Sequence, residues 1–407
     1  MLETATRRMA APLAGRDFRL LWVGQTISAL GGVLQAVALA WLVLDRTGSA
    51  VALSGTLLAV AIPATLLNLA GGVATDRYDP RTVMIWSDVV RAAVVSIIAA
   101  LAAVDALPLR ALYALLVVLG AAGGIFGPAA QSIISRLVPA EGLQAANALS
   151  QTTAQVAMIL GAPLAGVLVT VAGAELALTT NAASFAVAAV AASAIAPLGR
   201  HKGGNARGTA LDSAREGLSY VRARPWLLHL LLVDAVLSLA AIGPLAVGLP
   251  LLARGATGIG AAGLGLLLAG FGVGSLAGMV WLGSRAPGHH RGRVFCLLQL
   301  PQGALLAVLA WAPLPLAVAL LAGVGLLGGA SAVLYMALIQ GRVEGGMMGR
   351  VMSLVGLSAG GLVLLSQLAS GLVAGAAGPG ALFVTAGALM SGAALAGLRS
   401  PALRQLD

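Results

Sequence analysis

Gly71-Gly72-Val73-Ala74-Thr75-Asp76-Arg77-Tyr78-Asp79-Pro80-Arg81, GGVATDRYDPR, interrupts a nearly continuous apolar landscape. Only 9% of the 407 residues are charged, yet Asp76, Arg77, Asp79 and Arg81 fall close together here. Pro80 suits the first turn of a helix, where its missing N–H is no loss, and Asp79 is placed to cap that turn. Gly71 and Gly72 let the preceding run approach a neighbour closely. The stretch therefore reads as a tight polar hairpin between two apolar helices.

Working outward, those helices are the second and third of a series. Hydrophobic residues make up 59% of the chain and the mean hydropathy is +0.97, more apolar surface than a water-soluble core absorbs. A membrane span needs about 20 mostly apolar residues. Runs between charged or Pro/Gly-rich breaks give spans near 17–45, 49–75, 80–104, 108–136, 142–171, 174–197, 225–253, 258–284, 291–311, 314–341, 346–375 and 379–398. The fold class is an all-α integral membrane protein with twelve transmembrane helices. The first apolar run, preceded by Arg7, Arg8, Arg16 and Arg19, is too long for a cleaved signal sequence and reads as a retained span.

Positive charge orients the series. With the N-terminus inside, 20 of the 24 Lys and Arg fall in inner segments and only Arg46, Arg110 and Arg254 in outer loops, with Arg91 inside a span. The expected location is the cytoplasmic (inner) membrane with both termini cytoplasmic. The net charge of +10 is dispersed through short linkers, which argues against nucleic acid. A single cysteine, Cys296, excludes a disulfide framework. No phosphate-binding loop, zinc-protease motif or catalytic triad is present, so the chain is expected to be no enzyme and to need no cofactor or metal.

The longest break divides the spans six and six. It gives an N-terminal bundle over 1–197, a linker over 198–224 and a C-terminal bundle over 225–407. In the linker, Leu211, Ala214, Leu218 and Val221 share one helical face, with Arg215, Glu216 and Arg222 off it, as in a helix lying on the membrane surface. Gly120, Gly123 and Gly124 recur 205 residues later as Gly325, Gly328 and Gly329. The same offset maps Val138 to Val343, Gly166 to Gly371 and Gly173 to Gly378. Several matches at one offset indicate two homologous six-helix halves, the plan of transporters whose central site opens alternately to each side.

The motifs then become specific. The loop G-x-x-x-D-R-x-x-x-R at Gly72, Asp76, Arg77 and Arg81 resembles that of the major facilitator superfamily, and the resemblance covers essentially the whole chain. GAPLAG, with Gly161, Pro163 and Gly166, resembles the exporter motif of helix five. FRLLWVGQTISALG (18–31), DVVRA (88–92), FGPAAQSIISRLVPAEGLQAANAL (126–149) and REGLSYVRARPWL (215–227) are similar to the enterobactin and macrolide exporter branch. The resemblance implies two pseudo-symmetric bundles in a monomer. It implies alternating access and export of a hydrophobic or amphipathic small molecule, such as a drug, macrolide or siderophore, with proton antiport as a candidate driving force. An importer or a lysophospholipid-type flippase of the same fold shares every structural signal; a non-transporting membrane sensor would need a larger soluble domain. The resemblance also gives Asp76 a role as a conformational latch facing the start of helix eleven, at Gly345-Gly346-Met347. The corresponding second loop, GSRAPGHHRGR (283–293), has no acid. Span four lacks the buried arginine of many drug/proton antiporters.

Ionisable groups at membrane depth are functional candidates. Asp234 lies nine residues beyond Pro225, roughly 13 Å along a helix and near the middle of the bilayer core. There it serves proton coupling or holds a cationic substrate, or it pairs with a neighbouring helix. Asp88 and Arg91 are three residues apart on one face, with Arg81 two turns back. They read as a structural ion pair coupled to the loop, with proton relay or substrate contact as the alternative. Gln299 and Gln302 align with them in the second half. Gln25, Gln131, Asn147 and Gln151 are further candidates to line the cavity, while Gln35, Gln155, Gln340 and Gln367 add uncharged polar faces. His229 reads as a packing or snorkelling residue.

Overall fold

Apolar runs closed by turn residues become helices bounded by those same residues. The computed structural model describes residues 11–197, 210–255, 260–285, 290–404 and 406, with the side chains of 69, 70, 72–76 and 210–214 outside the description. Helix α1 (Arg16–Thr47) stops at Gly48, whose φ of 61° turns the chain while its N–H donates to Leu44 O at 2.8 Å. Helix α2 (Ala50–Arg77) leads into the opening hairpin, and α3 (Pro80–Ala103) starts on an Asp79 cap, with Arg81 N donating to Asp79 Oδ1 at 3.1 Å. Helix α4 spans Leu109–Leu137. The run Leu143–Ser193 divides at Gly173 into α5 (143–172) and α6 (174–193).

Helix α7 (Ala210–Arg222) precedes α8 (Pro225–Gly255), which is opened by a π turn at Pro244–Gly248. Then come α9 (Gly260–Gly283), α10 (Arg291–Val308) with a 3-10 turn to Trp311, and α11 (Leu314–Arg342). The run Gly345–Arg399 divides at Gly378 into α12 (345–377) and α13 (379–399), and α14 (Pro401–Arg404) closes the chain. Ten segments among the described residues are long and apolar enough to cross a membrane. Two of them are the divided runs, so twelve spans result. Val171, Leu66 and Trp311 are 81%, 68% and 70% exposed, apolar surface of the kind that belongs in lipid.

The breaks at Gly173 (φ 83°, ψ 163°) and Gly378 (φ 81°, ψ 171°) are 205 residues apart and have the same geometry. The repeat offset is thus a repeat of backbone conformation. Val138 and Val343 also match: each is extended, and each N–H donates back, to Ile134 O and to Ile339 O. The φ/ψ region of the two glycines is essentially restricted to that residue. Gly173→Ala is expected to lower stability by about 1–3 kcal/mol, read as a fall in the unfolding midpoint of purified protein. An unchanged midpoint would mean that the break does not depend on glycine.

Two compact units emerge. The first comprises Met1–Gly48, Gly55–Gly204 and Gly260–Gly265, and the second Ser49–Ser54, Asn205–Ile259 and Leu266–Asp407. Relative to the sequence division, two short end segments group differently. In the second unit, Ser54 Oγ donates to Gln367 O at 2.6 Å, and in the first, Ala262 N donates to Thr170 Oγ1 at 3.2 Å. In the first unit α1 and α3 lie against the 143–193 run, and in the second α8 and α10 lie against the 345–399 run, which is the same plan.

Helix α7 belongs to the second unit and is fastened to the head of α12. Glu216 pairs with Arg350 at 2.8 Å, Arg224 pairs with Glu344 at 2.6 Å, and Glu344 N donates to Tyr220 Oη at 3.2 Å. Tyr220 and Val221 are buried, while Arg215, Glu216 and Arg222 are exposed, in keeping with the amphipathic pattern; Leu211 and Ala214 lie outside the described side chains. Exposed ion pairs of this kind contribute little each, so the buried face carries the docking. At the same end, His229 Nδ1 and Ser400 Oγ are 2.9 Å apart, and Leu403 is buried beside α10.

Candidate functional site

Two clusters of buried polar groups stand out within the spans, one in each unit. In the first, α3 carries Asp88, fully buried, and Arg91 one turn on, and the two form an ion pair. The Arg91 guanidinium lies 3.9 Å from the ring centre of Phe126 on α4 and 4.4 Å from that of Phe185 on α6. A cation between two aromatic faces is held by their quadrupoles as well as by the carboxylate. The arrangement is closed: it ties α3, α4 and α6 together and offers no charge to a ligand. Arg81 is anchored elsewhere, with Nε donating to Ala192 O at 3.1 Å and a terminal nitrogen donating to Ser193 O. It caps the last carbonyls of α6, where a cation suits the helix dipole.

A small cavity of about 220 Å³ in the same unit is lined by residues including Trp22, Gln25, Gln131 and Thr153, with Trp22 Nε1 donating to Thr153 Oγ1 at 2.9 Å. Asn147 and Gln151 are exposed on α5, one turn apart, and do not line it. Gly161 packs on Val33, and Gly166 lies so near Ala261 that an added Cβ would sit 2.5 Å from its carbonyl oxygen. Pro163 is inside α5. Arg77 is exposed at the end of α2; Gly72 and Asp76 lie on that helix outside the residues whose side chains are described. Gln35 accepts from Asn181 Nδ2 at 2.6 Å, a link between α1 and the buried Asn181 of α6.

In the second unit, α8, α10 and α11, with Met390 of α13, line an open cavity of about 270 Å³. Asp234 lines it together with Phe295, Gln299, Gln302, Ser331 and Tyr335. The Asp234 carboxyl lies against the Tyr335 hydroxyl, outside good hydrogen-bond geometry. Gln299 Nε2 donates to Ser331 Oγ at 2.8 Å and to Phe295 O at 3.4 Å, and Gln302 Nε2 donates to Val324 O at 3.3 Å. The Phe295 and Tyr335 rings are 6.2 Å apart. Asp234 makes no ion pair among the described residues.

The spacing of Gln299 and Gln302 on α10 repeats that of Asp88 and Arg91 on α3, so the second half keeps the polarity without the ion pair. Sequence reasoning reached Asp234 and both glutamines but missed Tyr335. Its signal was present: Ser331 and Tyr335 stand one turn apart in an apolar run, on the same face. Asn181, also fully buried, was missed among the small residues of α6.

Comparison with known proteins bears on both the fold and its lineage. Residues 8–407 match the family described as transmembrane secretion effector, a branch of the major facilitator superfamily. The chain belongs to this family. As a transmembrane secretion effector it is a multi-pass membrane protein of a transporter family and not an enzyme. It is 27% identical to the multidrug efflux pump Tap of Mycolicibacterium fortuitum over 404 residues, 95% of this chain and 96% of that one. It is 28% identical to macrolide efflux protein A of Streptococcus pyogenes over 226 residues, and the match spans about half of each chain, 54%. Among solved structures, a bacterial homologue of the iron transporter ferroportin in an inward-facing state aligns with a TM-score of 0.71, 17% identity and coverage of 95% of this chain and 99% of that one. The nucleoside transporter NupG, solved as a point mutant, aligns with a TM-score of 0.74, 12% identity and coverage of 94% and 99%. At these identities the structural matches speak for the major facilitator fold alone.

Proposed function

We propose that this chain is a secondary active exporter that moves a hydrophobic or amphipathic small molecule, such as a drug, macrolide or siderophore, out of the cell by alternating access. Inward proton flow through Asp234 drives the cycle. The observation that carries the coupling assignment is a contrast between two carboxyls. Asp88 is paired with Arg91, whose guanidinium lies against two aromatic rings, whereas Asp234 lines a cavity with no Lys, Arg or His among its lining residues. A group that must take up and release a proton in each cycle needs access and no permanent counter-ion. Export as the direction is supported by the full-length similarity to the Tap multidrug efflux pump. The inner-membrane setting, with both termini cytoplasmic, is supported by the charge asymmetry of the loops. In this scheme Asp76 acts as the latch of the α2–α3 hairpin, and the protein works as a monomer.

The test is efflux from proteoliposomes with an imposed pH gradient. Asp234→Asn is expected to retain the wild-type unfolding midpoint and to lose gradient-driven export. Export by Asp234→Asn at the wild-type rate would remove Asp234 from the coupling machinery. Net uptake by the wild-type protein under the same gradient would make it an importer.

A further inference from the structure

The cavity of the second unit holds buried polar atoms without hydrogen-bond partners. Both glutamine amides turn their NH₂ groups onto oxygen atoms, and because Phe295 O and Val324 O can only accept, these contacts fix which end of each amide is nitrogen. Gln299 uses both of its N–H groups in this way and Gln302 one. Gln302 Oε1 is left buried without a partner, and the residue is only 7% exposed. Tyr335 Oη, equally buried, also lacks a well-formed hydrogen bond. Beside these two oxygens stands the Asp234 carboxyl, and none of the residues lining the cavity is Lys, Arg or His. Two aromatic rings, Phe295 and Tyr335, complete part of the wall. An unpartnered amide oxygen, a carboxyl and aromatic faces line one cavity, and the complementary ligand is a cation with N–H to donate.

Size narrows the ligand further. At about 270 Å³ the cavity is below the roughly 300–1,000 Å³ of sites that enclose whole drug-sized molecules. It takes a head group while the apolar remainder of the molecule lies outside it. We propose that the Asp234–Gln302–Tyr335 cavity is a head-group subsite for protonated aliphatic amines, making amphipathic organic cations the preferred substrate class. The subsite rests on the export reading above, but its test does not use transport. One ammonium N–H donates to the Asp234 carboxylate and another to Gln302 Oε1, and the alkyl chain lies against the Phe295 and Tyr335 rings.

The experiment is equilibrium binding to purified, detergent-solubilised protein with no gradient. The probes are a dansyl amide bearing a 2-aminoethyl arm and its uncharged propyl isostere, followed by dansyl fluorescence. The wild-type protein is expected to bind the amine about tenfold or more tightly than the isostere, the increment of a charge-assisted hydrogen bond. Asp234→Asn is expected to abolish that preference with the isostere's affinity unchanged, which also reports that the variant is folded. Asp105→Asn, which removes a highly exposed carboxyl of the first unit that pairs with Arg46, is expected to keep the preference. Gln302→Leu, which leaves the carboxyl in place, is expected to narrow it about threefold or more, the worth of one hydrogen bond.

Equal binding of the two probes to wild type would overturn the subsite. So would a preference untouched by both Asp234→Asn and Gln302→Leu, or one lost equally in Asp105→Asn. Loss of gradient-driven export in Asp234→Asn without any amine preference in wild type would keep the coupling and discard the subsite. An amine preference lost in Asp234→Asn, with export unchanged, would do the reverse.

Discussion

Arg91→Met lowers the folding stability of the purified protein by about 3–5 kcal/mol, the usual consequence of stripping a buried charge of its partner. This is the expected result, and methionine is chosen to isolate its cause. A methionine side chain still packs well against the rings of Phe126 and Phe185, because its sulfur suits aromatic edges, so little apolar contact is lost. What is lost is the positive charge that pairs with Oδ1 of Asp88, whose side chain is fully buried and whose Oδ2 has no hydrogen-bond partner. The second half shows how the position is filled without charge, since Gln299 and Gln302 occupy the same spacing and donate from their amide nitrogens to Ser331 and to backbone carbonyls. The double variant Asp88→Gln, Arg91→Gln is accordingly expected to be more stable than Arg91→Met alone, although it lacks both members of the pair. Unfolding midpoints of the three proteins in detergent decide the matter. If Arg91→Met lies within about 0.5 kcal/mol of wild type, the range of ordinary surface changes, the pair is not holding α3, α4 and α6 together.

The same pair shows what a sequence can and cannot carry. That Asp88 and Arg91 face each other follows from their spacing on one helix. That two aromatic rings enclose the arginine does not, because Phe126 and Phe185 sit on other helices and nothing local places them there. Backbone features were legible where a residue type imposes them. Asp79 was read as the cap of α3 and is that cap. Gly173 and Gly378 were read as one position of a repeat, and both adopt a conformation that other residues avoid. The twelve spans were legible because hydrocarbon demands long apolar helices, and small errors at their ends leave the count unchanged.

Side-chain meetings between helices were less visible. Arg81 was placed on a stripe with Asp88, yet it reaches across to the end of α6, because a long guanidinium side chain finds unpaired carbonyls more readily than a carboxylate already occupied. The polar candidates also sort in a way that their residue types do not announce. Gln25 and Gln131 line one cavity, while Asn147 and Gln151, chemically alike, stand exposed on α5. Asp234 was found because an acid in an apolar run is conspicuous, and Tyr335 was missed because a tyrosine there is not. Only the fold reveals that the two belong to one cavity.

Gly274→Leu should prevent the second unit from folding to a stable, monodisperse state. In lipid there is no hydrophobic force pressing helices together, so close backbone approach must supply the attraction, and small residues permit it. Helices α9 and α11 meet in this way along their length. Gly270, Gly274 and Gly278 face the carbonyls of Val318, Ala322 and Leu326, and Gly325 and Gly329 face those of Phe271 and Ser275 in return. A Cβ at Gly274 would overlap the Ala322 carbonyl, which is backbone and cannot rotate aside. The two helices would have to separate, and the facing glycines on both sides would lose their contacts with them. The cost is expected at or above about 3 kcal/mol, the upper end for overpacking a close-packed interior. Gly283→Leu on the same helix is the control, because nothing lies within 4 Å of the position its Cβ would take. Size-exclusion profiles and unfolding midpoints of the two variants should diverge sharply. If Gly274→Leu behaves like Gly283→Leu, the α9–α11 contact is looser than its glycine spacing implies, and the bundle owes its cohesion to the polar groups of α10 and α11 instead.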